Sequence, residues 1–476
     1  MIFSSEVFLF AFLPLVLGLY FAVRGPRLKN VVLVAASLLF YFWGEGFFVL
    51  LVLGLALLNY AFALALSRMP DSDGARRRWL LTLAIVADLG VLVYFKYSAF
   101  LAQNLAFALG PRLGSHLGSW HAYLLLGISF FTFHAVSYVV DVYRRTSSAR
   151  RNPLEVILYF VFFPQLIAGP IIRYKDVAEQ LSARRVTLED FAYGVRRFVV
   201  GLAKKVLIAN TLGGPVDRVF AADPGQLSQP VAWFAVLAYS LQIYFDFSGY
   251  SDMAIGLARM FGFRFLENFN FPYVAGSIRE FWHRWNISLS RFMRDYLYIP
   301  LGGNRVAAWK VYRNLVVVFL LCGLWHGAKW TFVIWGLIHG TFMILERIGV
   351  TSPLTRLPIV KNIYALSVVC FAWIFFRADS LSYAMGFVLA LVHPSMTPSV
   401  TMYNVDREVL LTFAIGCFLA TPFASAAIES SLQARSGVWR ERIALTALPI
   451  ATTLVFVASV AKLAAGSYNP FLYFRF

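Results

Sequence analysis

The stretch LVVVFLLCGLWHGAKWTFVIWGLIHGTFMIL (residues 315–345) contains one lysine, two histidines and no carboxylate. A run this long and apolar is a membrane-helix signal, because about 20 such residues at 1.5 Å each cross the hydrocarbon of a bilayer. The polar word inside it, WHGAKW (325–330), places an imidazole and an ammonium where hydrocarbon offers no partner. We expect Gly323 and Gly327 to interrupt the helix near its middle, and the break to line protein or water, since lipid cannot satisfy open backbone groups.

Outward from this stretch the whole chain has the same character. Hydrophobic residues make up 60% of it and charged residues only 14%, with a mean hydropathy of +0.69, which excludes a soluble enzyme or binding module. Apolar segments recur at 7–23, 47–66, 79–95, 122–140 and 442–464, rich in Leu, Val and Ala without the alternation of barrel strands. The expected class is therefore all-α, a polytopic helix bundle forming a single membrane domain over 1–476. No internal repeat supports an inverted-repeat transporter. The first segment lacks a basic start and a small-residue cleavage site, so it is expected to be retained. The three cysteines, Cys322, Cys370 and Cys417, lie in apolar segments and suggest small core residues rather than disulfides.

Basic residues cluster after alternate segments: Arg24, Arg27 and Lys29, then Arg68 and Arg76 to Arg78, then Arg144, Arg145, Arg150 and Arg151. The connections near Gly44–Gly46 and from Ser98 to His121 carry little positive charge. This predicts an outside, periplasmic N-terminus and basic loops in the cytoplasm. It also accounts for most of the net charge of +18 through anionic headgroups, with membrane lipid as partner and no nucleic acid. The sharper alternative is attraction of an anionic substrate. Residues 191–212 (FAYGVRRFVVGLAKKVLIANTL) alternate basic pairs with apolar groups at helical spacing, as an interfacial helix would.

Three constellations carry chemistry. YFDFSGYSDMAIG (244–256) brings Asp246 and Asp252 close to apolar sequence, either as interfacial caps and ion-pair partners or as part of a site. EFWHRWNISLSRFMRDYLYIPLGGNR (280–305) mixes Trp282 and Trp285 with His283, Arg284 and Asn286. WHG (325–327) holds His326, whose side chain is suited to taking a proton from a hydroxyl and returning it. A lone histidine in an apolar run is more often a core residue, and His339 and His134 stay with that reading. No metal site is expected.

Together with FFPQLIAGPIIRY (162–174) and the ending NPFLYFRF (469–476), these motifs resemble the membrane-bound O-acyltransferase (MBOAT) family, and within it the bacterial branch that O-acetylates alginate. The resemblance runs from MIFSSEVFLF to the last residue. It implies the MBOAT fold, with roughly 11 or more membrane helices and with interrupted and interfacial helices around a central tunnel. It makes His326 the catalytic base and puts Asn286, 40 residues earlier, at the family's second position. Relatives often read FWRRWH where this chain reads FWHRWN. An amide donates and accepts hydrogen bonds but exchanges no proton at neutral pH, so Asn286 would orient substrate or polarise a carbonyl. His283, Asp246 and Asp252 are possible supporting residues.

The implied activity is that of an inner-membrane O-acetyltransferase. It would draw acetyl groups from a cytoplasmic donor, acetyl-coenzyme A (acetyl-CoA), and pass them across the membrane for acetylation of an exopolysaccharide such as alginate, through periplasmic partner proteins. No cofactor would be held permanently. Arg284, Arg291 and Arg294 are the expected contacts to the donor's phosphates. The alternatives are an MBOAT with another acceptor, by D-alanyl or lipid acyl transfer, and a non-catalytic scaffold or transporter of an export complex.

Overall fold

The computed structural model describes residues 1–118, 120, 123–393, 405–433, 437 and 443–466, so the ending at 469–476 lies outside the described residues. Among them there is helix and no strand. In chain order the helices are α1 (Leu13–Ala22, entered through a π turn at Phe8–Phe12), α2 (Pro26–Glu45), α3 (Val49–Arg68), α4 (Gly74–Leu92), α5 (Ser98–Gly118), α6 (Ile128–Tyr143) and α7 (Pro153–Val161). Then come α8 (Phe163–Leu166), α9 (Tyr174–Ser182), α10 (Leu188–Ala203), α11 (Asn210–Ala221), α12 (Gln229–Met260), α13 (Ile278–Arg284) and α14 (Ile287–Met293). The rest are α15 (Ala308–His326), α16 (Trp330–Arg347), α17 (Ser352–Arg356), α18 (Pro358–Arg377), α19 (Leu381–Val392), α20 (Arg407–Leu419), α21 (Phe423–Gln433) and α22 (Leu448–Ala464).

Among the described residues, six helical stretches are long and apolar enough to cross a membrane, and three shorter apolar helices accompany them. The chain divides into two compact units, residues 1–195 with 254–266, and residues 196–253 with 267–476. In the first unit a knot of phenylalanines from α1, α2 and α8 forms the core. Phe8, Phe12, Phe40 and Phe163 lie with ring centroids 5.4–6.2 Å apart. Tyr20 then ties α1 to the end of α12 by donating to the Phe261 carbonyl at 2.7 Å. The three cysteines are free thiols, Cys322 and Cys370 buried and Cys417 exposed.

Three expectations are revised. The stretch 315–345 is no single broken helix: α15 ends at His326, Gly327 is extended, and α16 starts at Trp330, giving a tight helical hairpin. The physical reason is length. The polar-flanked residues from Ala308 onward extend the first arm to 19 residues and the second reaches 18, each nearly a full crossing. The glycines serve the contact between the arms. A Cβ on Gly323 would sit 2.3 Å from the Phe332 carbonyl oxygen, and one on Gly336 2.2 Å from that of Phe319. Next, the weakly charged connection after Ser98 is helical, with a break at Gly110, where φ is 75°. Finally, residues 191–212 are not one uniform helix: α10 ends at Ala203 and a π turn at Lys204–Ala209 leads into α11, with Phe198, Leu202, Lys205 and Val206 buried and Val200 exposed.

Candidate active site

The second unit builds its polar centre on the antiparallel contact between α12 and the segment from Arg196 through the π turn Lys204–Ala209. Backbones meet glycine to glycine there, Gly201 against the Gly249 carbonyl and Gly249 against that of Gly201, each leaving under 3 Å for a Cβ. A π turn accommodates one extra residue, so consecutive lysines both face α12. Lys205 Nζ reaches Asp246 at 2.6 Å with both side chains at most 3% exposed, and Lys204 Nζ reaches Asp252 at 2.7 Å. Arg197 bridges Asp252 at 2.7 Å and Glu267 at 2.5 Å. Both aspartates are thus engaged by cations from residues 197–205, not by the basic block at 277–313.

This charged layer connects to the Asn286 turn through a residue that the sequence reading missed. Asn268, fully buried, donates to Ser251 Oγ of α12 at 3.0 Å and accepts through Oδ1 from the Ser288 amide and hydroxyl at 3.1 and 2.8 Å. Its own carbonyl accepts from the Ile287 amide at 2.9 Å. Asn286 itself is fully buried in a left-handed conformation, φ 41° and ψ 56°, which asparagine tolerates better than most side chains. Its Oδ1 accepts from Ser288 at 3.4 Å, while its Nδ2 has no protein acceptor and remains available as a donor. The one sequence signal for Asn268 is its place before Phe269 at the head of NFNF (268–271).

His326 closes α15 and is 4% exposed. Aromatic rings fix its plane: Trp325 and Trp335 at 4.8 Å and Phe376 at 5.1 Å, all edge-on. Trp335 stacks on Trp373 at 5.8 Å, and Trp373 lies 5.0 Å from Trp285, the neighbour of Asn286. One aromatic wall, built by Trp285 with α16 and α18, thus runs from the His326 ring to the residue before Asn286. His339 belongs to the packing of that wall, stacked on Phe281 at 5.9 Å and edge-on to Trp282 and Trp335. His134 lies in the other unit, against Tyr159.

A cavity of about 690 Å³ runs along α15 in this unit. Arg279, His283, Arg291, Arg294 and Arg347 line its outer part, and Leu315, Phe319 and Cys322 its inner part. Cys322 lies one helical turn before His326, on the same face of α15. Of the three arginines expected at the phosphates, Arg291 and Arg294 line the cavity. Arg284 does not: it pairs with Glu280 at 2.8 Å and donates to the Asn270 carbonyl. His283 is exposed at the cavity wall, with Nδ1 2.7 Å from the Arg279 carbonyl, which only accepts; Nδ1 must carry the proton, leaving the Nε2 lone pair open. Lys329, in the hairpin turn and N-capping α16, is half-exposed and lies 3.5 Å from Asp379.

A buried histidine at a helix end, a buried asparagine next to the aromatic wall that packs on it and an arginine-lined cavity one helical turn away mark a candidate site inside an apolar helix bundle. Comparison with known proteins gives the class its name: residues 79–386 match the model of the MBOAT, membrane-bound O-acyltransferase family, and the chain belongs to that family and is an acyltransferase. It is 41% identical to a probable alginate O-acetylase AlgI of Azotobacter vinelandii and 40% identical to one of Pseudomonas aeruginosa, in both cases over the full length of both chains. It is 38% identical to a peptidoglycan O-acetyltransferase of Helicobacter pylori, over 82% of this chain and 80% of the relative.

Proposed function

We propose that this chain is an O-acetyltransferase of the bacterial inner membrane that takes acetyl groups from acetyl-CoA on the cytoplasmic side and delivers them outward for acetylation of an exopolysaccharide such as alginate, with periplasmic proteins completing the transfer. The observation that carries this reading is the cavity. Its mouth is cationic, as a donor with several phosphate charges requires. Its apolar lining ends at Cys322 of α15, one helical turn before His326, and a thioester on a slender arm would extend from there. On this reading the cavity is the donor arm of a tunnel through a bundle of roughly 11 or more membrane helices, with the N-terminus periplasmic.

In the reaction, His326 removes the proton of an acceptor hydroxyl as its oxygen attacks the thioester carbonyl carbon. The carbonyl becomes an oxyanion, to which the Nδ2 of Asn286, without an acceptor among the described residues, would donate. Collapse breaks the C–S bond, and the proton held by His326 passes to the departing thiolate. The thioester is activated, so positioning and one base supply most of what is needed.

The test is thiol release from acetyl-CoA by the purified chain in nanodiscs, with acetyl content of secreted polymer measured in cells. His326→Gln, which keeps the volume that three rings pack against, should lower both by at least about 100-fold, the low end of what general base catalysis contributes. Asn286→Ala should fall between that variant and the wild type, and His339→Ala should cost less. Wild-type transfer by His326→Gln at normal abundance would overturn the mechanism. Absence of any acetyl-CoA turnover by the wild type would overturn the donor assignment.

A further inference from the structure

A cavity of about 820 Å³ in the first unit, separate from the unit that carries His326 and Asn286, has no part in this chemistry. It lies where α3 and α6 end, and Arg68, Arg145 and Arg151 line it together with Ser147 and Ser148. Arg145 is already committed: from a left-handed backbone, φ 56°, it donates to Asp71 at 2.9 Å and to the Met69 carbonyl at 3.1 Å. Asp71 also accepts from the buried Arg77, so its charge is fully spent on two arginines. Arg68 and Arg151 pair with no carboxylate among the described residues. Cations are favourable at helix C-termini, but two helix ends amount to only about one negative charge together. The cavity therefore holds unbalanced positive charge beside serine hydroxyls that can donate.

What would fill it follows from its depth and its continuation. Apart from Asn59, buried against Asp88, and Tyr60, α3 is apolar from Val49 to Leu66 and turns polar at Ser67 and Arg68, which sets Arg68 at headgroup level of a bilayer crossed by this helix. Below it on the same helical face lie Leu64 at the cavity wall, then Ala61 and Leu57, both exposed. A free phosphate would use the arginines and leave that stripe bare. We propose that this cavity binds an anionic glycerophospholipid, its phosphate held by Arg68, Arg151 and the serine hydroxyls and an acyl chain lying along Leu64, Ala61 and Leu57.

The probe is dioleoyl-phosphatidylglycerol added to the full chain in neutral detergent, read by native mass spectrometry as bound lipid and by thermal melting. Dioleoyl-phosphatidylcholine and inorganic phosphate are the comparison ligands. Wild-type protein should retain phosphatidylglycerol and melt higher with it, and neither comparison ligand should match the effect. Replacing Arg68 and Arg151 with Gln together should weaken apparent phosphatidylglycerol affinity about 30-fold, as expected for two arginines near a phosphate. Replacing both with Lys should restore most of it, which separates a binding defect from misfolding. A charge-matched control, Arg24→Gln with Arg76→Gln, should bind as the wild type does. Three results would overturn the proposal: equal binding by the Gln pair, an equal loss in the control, or stabilisation by inorganic phosphate as large as that by lipid.

Discussion

Gly336 sits where α16 crosses α15, and its replacement by alanine tests whether the hairpin sets the position of His326. The added Cβ would stand 2.2 Å from the carbonyl oxygen of Phe319 and 3.1 Å from its carbon. Both are backbone atoms, so no rotamer change relieves the overlap. Restoring an ordinary contact of 3.4 Å demands a displacement of about 1.2 Å between the two helices. That displacement falls on the 4.8 Å edge contact between Trp335, the residue before Gly336, and the His326 ring at the end of α15. A misplacement of about 1 Å costs on the order of 100-fold in rate. Gly336→Ala should accordingly reach the membrane and lose about 100-fold in thiol release from acetyl-CoA. Gly340→Ala should lose less, because its nearest neighbour, the Phe319 Cβ, lies at 3.1 Å and asks for a shift of only about 0.3 Å. Gly54→Ala, on α3 with nothing within 4 Å, should be neutral. The assay is thiol release normalised to folded protein by size-exclusion recovery and melting temperature. Gly336→Ala with activity within threefold of wild type at equal recovery would refute the idea that close packing of this hairpin positions the base.

The remaining expectations concern charge. Arg291→Gln and Arg294→Gln should raise the KM for acetyl-CoA with little change in kcat, the pattern for lost uniform binding, while Arg284→Gln, outside the cavity, should leave KM near wild type. Lys205→Met removes the counter-charge 2.6 Å from Asp246 in a pair at most 3% exposed and should destabilise by about 3–5 kcal/mol in detergent melts. Adding Asp246→Leu should recover much of that loss, and a double variant as unstable as the single one would contradict the pairing. Because α3 is one crossing long, cysteines at Phe47 and Ser72, both exposed, should label on opposite faces: Phe47→Cys from outside intact cells and Ser72→Cys only after permeabilisation. The reverse pattern would invert the topology and move the donor mouth outside.

Helix content and membrane class were legible because hydropathy is a local, one-dimensional signal, and α3, α4 and α6 fall close to the apolar segments that announced them. Pairing is not local: two basic stretches, 197–205 and 279–313, could supply cations to Asp246 and Asp252, and it is 197–205 that does. Nothing in a linear pattern says which of two basic blocks faces a helix; the reciprocal glycines at 201 and 249 decide it by letting those backbones touch. The hairpin was mistaken for a broken helix because its glycines carry the same letter whether they break a helix or let two helices meet. Arg284 shows the same limit at the mouth. Its spacing from Arg291 suited a common face, but Glu280, one turn earlier on α13, captures it. Asn268 left only a faint trace, since its role is to hold the Asn286 turn through three hydrogen bonds that involve residues far away in sequence.

The pairing of one imidazole with one amide has a consequence for pH. Where relatives carry histidine at the second position, two groups in the site can change charge; with Asn286 only His326 can, and an amide stays neutral through the whole range. The rings of Trp325, Trp335 and Phe376 pack edge-on against His326 and hold its plane. His283 is the imidazole that lines the cavity, on its exposed wall. The ratio kcat/KM for acetyl-CoA should therefore rise with pH as His326 becomes neutral and then stay level up to the range where the protein itself fails, a single-ionisation curve. His283→Gln should preserve that shape while lowering affinity for the donor. A bell-shaped profile that becomes single-sided in His283→Gln would mean that His283, not the pair of His326 and Asn286 alone, handles a proton in the reaction.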